Sequence, residues 1–141
     1  MKYFQKGDIL LSDFDGVFLD SQTRFNEVMK EETDFNKWMD FLNRIEWRSF
    51  LRECDLIPNA LETFTELQRL KLLKGFITRI HSFEEGKEKA IFLRELGITV
   101  PIYYVLPEQP KSMVYLPSKK VILLDDDIEN TAHISLINKK Y

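Results

Sequence analysis

The apolar run Ile9-Leu10-Leu11 reaches Ser12 and stops at Asp13, and Phe14, Asp15 and Gly16 follow. Its length suits a buried strand, and Gly16 permits the backbone angles that end one. Beyond residue 21 the pattern changes. Phe25, Val28, Met29, Phe35, Trp38, Met39, Leu42 and Ile45 recur at three- and four-residue steps, which predicts helix with one apolar face. The phase slips near Glu46, where Trp47, Phe50, Leu51 and Cys54 begin a second stripe, so two or three short helices are expected. Ile57-Pro58-Asn59 reads as a turn and helix start, and Leu61, Phe64, Leu67 and Leu70 give the next helix its apolar face. A basic turn over 71–74 closes that helix, and Gly75 leads into a short strand, Phe76-Ile77, that stops at Thr78.

Residues 83–96 predict a further helix, with Ala90, Ile91, Leu93 and Leu96 as its apolar positions and Gly97 as its C-terminal cap. Residues 101–106 are β-branched and aromatic, as in a strand. A proline-bounded loop then holds Lys111, and the apolar run 121–124 ends at Asp125-Asp126-Asp127. A short helix and a last strand over 134–137 complete the pattern. Alternating strands and helices imply right-handed crossovers and a parallel sheet. The expected fold is therefore α/β: a three-layer, Rossmann-like parallel sheet in a single domain over 1–141, with a small helical insertion over 21–57.

Ligands of such sheets bind at the carboxyl ends of the strands. Three predicted strands end in residues capable of chemistry, namely Asp13, Thr78 and Asp125. Strand alternation would also place Asp15 on the side of Asp13. Two ionised carboxylates that close repel by about 4 kcal/mol at an effective dielectric of about 20. A bound cation, or a nucleophile with an acid/base partner, accounts for such a pair. Its plainer account is a capping or turn role.

Composition changes this picture little. With 141 residues, 44% hydrophobic and 30% charged, the chain can bury a core and is neither disordered nor fibrous. A net charge of −3 argues against a broad nucleic-acid surface. Cys54 is the only cysteine, so no internal disulfide is expected. The polar start and the lack of an apolar run near 20 residues predict neither leader nor membrane span, and a soluble cytoplasmic protein is the default expectation.

Asp13-Phe14-Asp15-Gly16-Val17 resembles the DxDGx signature of the haloacid dehalogenase (HAD) superfamily, most of whose members are magnesium-dependent phosphatases. That family continues with a Thr or Ser ending the second strand, then a Lys, then an acidic pair. This chain offers Thr78, Lys111 and Asp125/Asp126 in that order. The order differs from that of response-regulator receivers, which place the acidic pair first and Lys last. The resemblance implies that Asp13 attacks phosphorus and forms an aspartyl-phosphate, and that Asp15 exchanges a proton with the leaving oxygen and then with water.

By the same resemblance Thr78 would bond a phosphoryl oxygen and Lys111 would offset the charge of Asp13 and phosphate. The other lysines fit less well by position: Lys87 and Lys89 sit within a helix, and Lys119 and Lys120 abut the wrong end of a strand. Mg2+ would be held by Asp13, Asp15 and the acidic pair, Asp126 usually being the direct ligand, with Asn130 and Gly16 in support. Asp127 reads as a helix-start residue. His81 and His133 are not at zinc spacing.

Arg79 stands where the family commonly has Asn or Gly. Its guanidinium could contact the leaving group; the plainer account of Arg79 and His81 is two solvated loop side chains. The insertion of about 40 residues is small for the family's first cap position, which implies an open site and permits a bulky phosphomonoester such as a nucleotide or a macromolecular phosphate. The alternative is a protein of this fold that binds a phosphorylated ligand or partner without turnover.

Overall fold

The computed structural model describes residues 9–30, 32–111 and 121–125. In chain order the elements are β1 (Ile9–Asp13), β2 (Leu19–Asp20), α1 (Ser21–Met29), α2 (Phe35–Arg44), α3 (Trp47–Glu53) and β3 (Asp55–Leu56). They continue with α4 (Ala60–Arg69), β4 (Leu73–Arg79), α5 (Phe83–Glu95), β5 (Ile102–Val105) and β6 (Val121–Leu124). The four longer strands pair in the order β5-β4-β1-β6, all parallel. With its flanking helices the sheet forms a three-layer α/β architecture of the general Rossmann-like kind. The expected strand over 134–137 lies outside the described residues, as do Asp126, Asp127, Asn130 and His133. Among the described residues no helix is long and apolar enough to cross a membrane.

Alternation along the strands separates two apolar clusters. Leu10 and Phe76 belong to the larger, which joins Phe14, Phe18, Phe64 of α4 and Leu93 of α5. Phe14, Phe18 and Phe76 are fully buried, and Phe64 packs its ring against Phe18 at 5.4 Å and Phe76 at 5.3 Å. Leu11, Ile77, Val105 and Val121 form the smaller cluster.

Strand β4 is longer than its apolar pair suggests. It begins at Leu73, takes in Lys74 and Gly75, and runs through Thr78 to Arg79. Its pairing with β1, which matches Leu10 to Leu73 and Leu11 to Gly75 across a register shift, recruits residues whose own propensity is weak. Gly75 is therefore inside the strand and not a lead-in: a Cβ there would meet the Tyr103 ring at 2.8 Å and the Pro101 carbonyl oxygen at 2.9 Å. Gly75→Ala should destabilise the fold by about 1–3 kcal/mol, the usual cost of overpacking, which urea denaturation would measure. An unchanged midpoint would mean that Tyr103 moves aside freely.

The insertion consists of three helices, and a two-stranded antiparallel ribbon, β2 with β3, closes its base. That ribbon has too few residues to leave a periodic signal. Val28 and Phe35, expected on the apolar face, are exposed, whereas Leu42, Trp47, Phe50 and Leu51 are buried. Helix α3 rests on α5 through two ion pairs, Arg48 to Glu88 at 3.1 Å and Arg52 to Glu95 at 2.7 Å. At the far end of α5, Gly97 has φ 84° and follows the C-cap Leu96. The amides of Gly97 and Ile98 bond back to Arg94 and Leu93, which satisfies two terminal carbonyls.

Candidate functional site

Because β1, β4 and β6 are parallel neighbours, their carboxyl ends bring Asp13, Thr78 and Asp125 to one edge of the sheet. Strand β1 ends at Asp13, so alternation does not govern Asp15, as the sequence pattern had implied. A turn does. Gly16, with φ 82°, bonds its amide to the Leu19 carbonyl, while the amides of Phe18 and Leu19 return to the Phe14 carbonyl. This turn carries Asp15 off the strand and toward α1, where Ser21 donates to its Oδ1 at 2.7 Å.

Two buried lysines divide the carboxylates between them. Lys111 lies 2.9 Å from Asp13 Oδ1 and 3.1 Å from Asp125 Oδ2. Asp13 Oδ1 also accepts from the Phe14 amide at 2.8 Å. Lys89 reaches up from α5 to Asp15 Oδ2 at 2.8 Å, Glu85 Oε2 at 2.7 Å and Thr78 Oγ1 at 2.9 Å. The sequence reading set Lys89 aside because it lies within a helix. That position is what makes it effective: the side chain is 1% exposed and runs along the sheet edge under Asp15. Ser21 and Glu85 were missed as well. No sequence signal marked them: the inward turn of Lys89 shows only in the burial of its neighbours on α5, Glu85, Gly86 and Leu93.

Electrostatics follow from this sharing. Burial pushes the Asp13 carboxyl up to about 7, and it outweighs the nearby Lys111 ammonium; the charge of Asp125 pushes the same way. Burial works against the charge on Lys89, but Asp15 and Glu85 overcome it and hold the ammonium above its ordinary value. Burial would also raise Glu85; the hydrogen bond from His81 and the charge of Lys89 bring it below the ordinary range instead. For Asp13 the folded-state value exceeds the unfolded one, so the native state holds a proton that the unfolded chain has released. The metal-free protein should accordingly lose stability as pH rises from about 4 to about 7, through the Asp13 contribution. Unfolding free energies in EDTA across that range, for wild type and Asp13→Asn, would isolate the effect. The variant should gain on the wild type with rising pH and plateau above about 7; parallel curves would refute it.

Arg79 is held by the main chain. Its Nη2 donates to the Gln109 carbonyl at 2.8 Å and its Nε to the Leu106 carbonyl at 3.4 Å. His81 is half-buried, and its Nδ1 lies 3.2 Å from Glu85 Oε1. Neither residue is the freely solvated side chain of the plainer account. Both line a cavity of ≈ 290 Å3 that opens beside Asp15 toward the insertion.

Among the described residues no group of three or more His, Cys, Asp or Glu side chains is arranged to hold a metal ion, and Asp126 lies outside them. The chemistry of the donors nevertheless fits magnesium. Asp13, Asp15 and Asp125 supply hard carboxylate oxygens, and two lysines serve four carboxylates, counting Glu85. Burial is the main reason the Asp13 carboxyl is raised, and the charge of Asp125 adds to it. No protein-family model matches the sequence, and a comparison with curated proteins finds no match either.

Proposed function

We infer that this chain hydrolyses phosphomonoesters with the aid of magnesium, in the manner of the HAD phosphatases that its motifs resemble. The observation that carries the reading is the convergence of Asp13, Thr78, Lys111 and Asp125 at adjacent strand ends, with Lys111 within 3.1 Å of both aspartates. Among the described residues both contacts to the Asp13 carboxylate fall on Oδ1, which leaves Oδ2 for attack on phosphorus. The P–O bond to the leaving alcohol breaks as the Asp13–P bond forms, and water then cleaves the aspartyl-phosphate. Lys111 offsets the negative charge that gathers on Asp13 and the phosphoryl oxygens. Thr78 presents its hydroxyl from the end of β4, fixed in place by Lys89. Magnesium, held by Asp13 and the acidic pair, would neutralise phosphoryl oxygens when bound.

Asp15 sets the terms of the two steps. To serve the first step it must deliver a proton to the leaving oxygen, from a position 2.8 Å from Lys89 Nζ. As a carboxylate it suits the second step, in which it takes a proton from water. Both of its oxygens are engaged, by Ser21 and by Lys89, and that arrangement favours the second reading, a module that binds phosphorylated ligands without turnover.

A panel of phosphomonoesters assayed for phosphate release, with magnesium and with EDTA, separates the two. Hydrolysis that requires magnesium is the expected result. Tight phosphate-ester binding with no release from any ester would favour the module. Magnesium alone should raise the melting temperature in either case, by linkage to the folded state.

A further inference from the structure

The cavity beside Asp15 has two unlike walls. The insertion supplies an apolar one, from Phe25, Trp38, Leu42 and Trp47. The sheet edge and the start of α5 supply a polar one, from Arg79, His81 and Glu85. We propose that this cavity receives the alcohol portion of the phosphoester, and that this portion carries a planar heterocycle seated against Trp38 and Trp47. The assignment deepens the phosphatase reading and rests on it, because Asp15 is the residue that joins the cavity to the reacting atoms.

Three observations select this occupant. The apolar wall is mostly aromatic, and ring faces attract planar π systems more than saturated chains. The rings are set before any ligand arrives: Phe25 meets Trp38 edge-on at 5.7 Å and Trp47 at 6.5 Å, and Trp47 meets Phe50 at 5.7 Å. The Trp38 indole is further fixed by its donation to the Glu32 carbonyl. The lining also holds an imidazole and a guanidinium from the sheet edge and the Gln22 amide from α1, which suit the hydrogen-bonding edge of a heterocycle and would be wasted on an alkyl tail. Size supplies the remaining limit. A volume of ≈ 290 Å3 is at the small end for ligand sites, so a ring with its sugar fits and a macromolecular phosphate does not enter.

The chain has two tryptophans and both line the cavity, so intrinsic fluorescence reads its occupancy without any turnover. The full chain would be titrated with adenosine, uridine, benzyl alcohol and glycerol. A saturable change with adenosine or uridine, weaker with benzyl alcohol and absent with glycerol, is expected. Trp38→Leu should weaken nucleoside binding by about 5- to 100-fold, the range for removing one stacking ring beneath a base. Should that variant fail to fold, Gln22→Phe, at an exposed position of α1, puts bulk into the same cavity and should likewise abolish the response. No saturable response to either nucleoside, or one that survives both substitutions, overturns the proposal. Phosphate release from adenosine monophosphate and glycerol phosphate, with magnesium, separates this failure from that of the phosphatase reading. Nucleoside binding without hydrolysis of any ester supports the pocket and sinks the phosphatase. Equal kcat/KM on the two esters with no nucleoside binding overturns the pocket alone.

Discussion

Asp13→Asn is expected to abolish phosphate release, by at least about a thousandfold or roughly 4 kcal/mol of barrier, while the protein still folds cooperatively. The amide matches the carboxylate in shape and keeps an oxygen for the Phe14 amide, so the turn after β1 loses no acceptor. It cannot form the acyl-phosphate bond, because its remaining oxygen is a neutral carbonyl. Removing a buried charge that burial already disfavours should leave stability near neutral pH equal or higher. Lys111 retains Asp125 as a partner. Steady-state kinetics on the best ester decides the matter. A loss of threefold or less, under about 1 kcal/mol, would remove Asp13 from the mechanism.

Lys89→Met should be the most destabilising single change at the site. Lys89 and Glu85 are both buried, and the ammonium is the shared partner of Glu85, Asp15 and the Thr78 hydroxyl. Methionine fills the volume but leaves two carboxylates facing each other without a cation. Breaking a buried pair from one side costs about 3–5 kcal/mol, which for a chain of this size lowers Tm by on the order of 10 °C. Adding Glu85→Gln to Lys89→Met should return part of the loss, since the second change withdraws one of the stranded charges. Urea denaturation of the two variants measures both effects. A loss below about 1 kcal/mol would show that the pair is solvated in solution.

The parts of the site that sequence exposes are those at strand ends. Asp13, Thr78 and Asp125 each terminate an apolar run, and parallel pairing brings such termini to one edge whatever the helices do. Lys111 was located by its order in the chain, and the structure puts it against Asp13 and Asp125. Lys89, Glu85 and Ser21 left no such trace. A Glu and a Lys four apart on a helix are ordinarily an exposed pair. Only the packing of α5 against the sheet turns that pair inward, through Leu93 in the larger apolar cluster with residues far away in sequence. The length of β4 was hidden for a related reason: Lys74 and Gly75 are poor strand residues, and β1 takes them in by pairing Leu73 and Gly75 with its own Leu10 and Leu11 across a register shift. Asp15 teaches the opposite lesson. Alternation would set it beside Asp13, but the strand stops at Asp13 and a glycine turn takes over.

On the proposed mechanism phosphorus passes to Asp13 before it reaches water. Asp15→Asn should slow the second step by removing the residue that takes the proton from water, so phosphoenzyme accumulates. The variant would be mixed with a phosphomonoester and magnesium, quenched in acid, digested, and its peptides weighed. A base-labile phosphoryl adduct is expected on the peptide containing Asp13 and absent from Asp13→Asn. Turnover by the wild type with no adduct in the Asp15→Asn variant, or an adduct on any other residue, would contradict it.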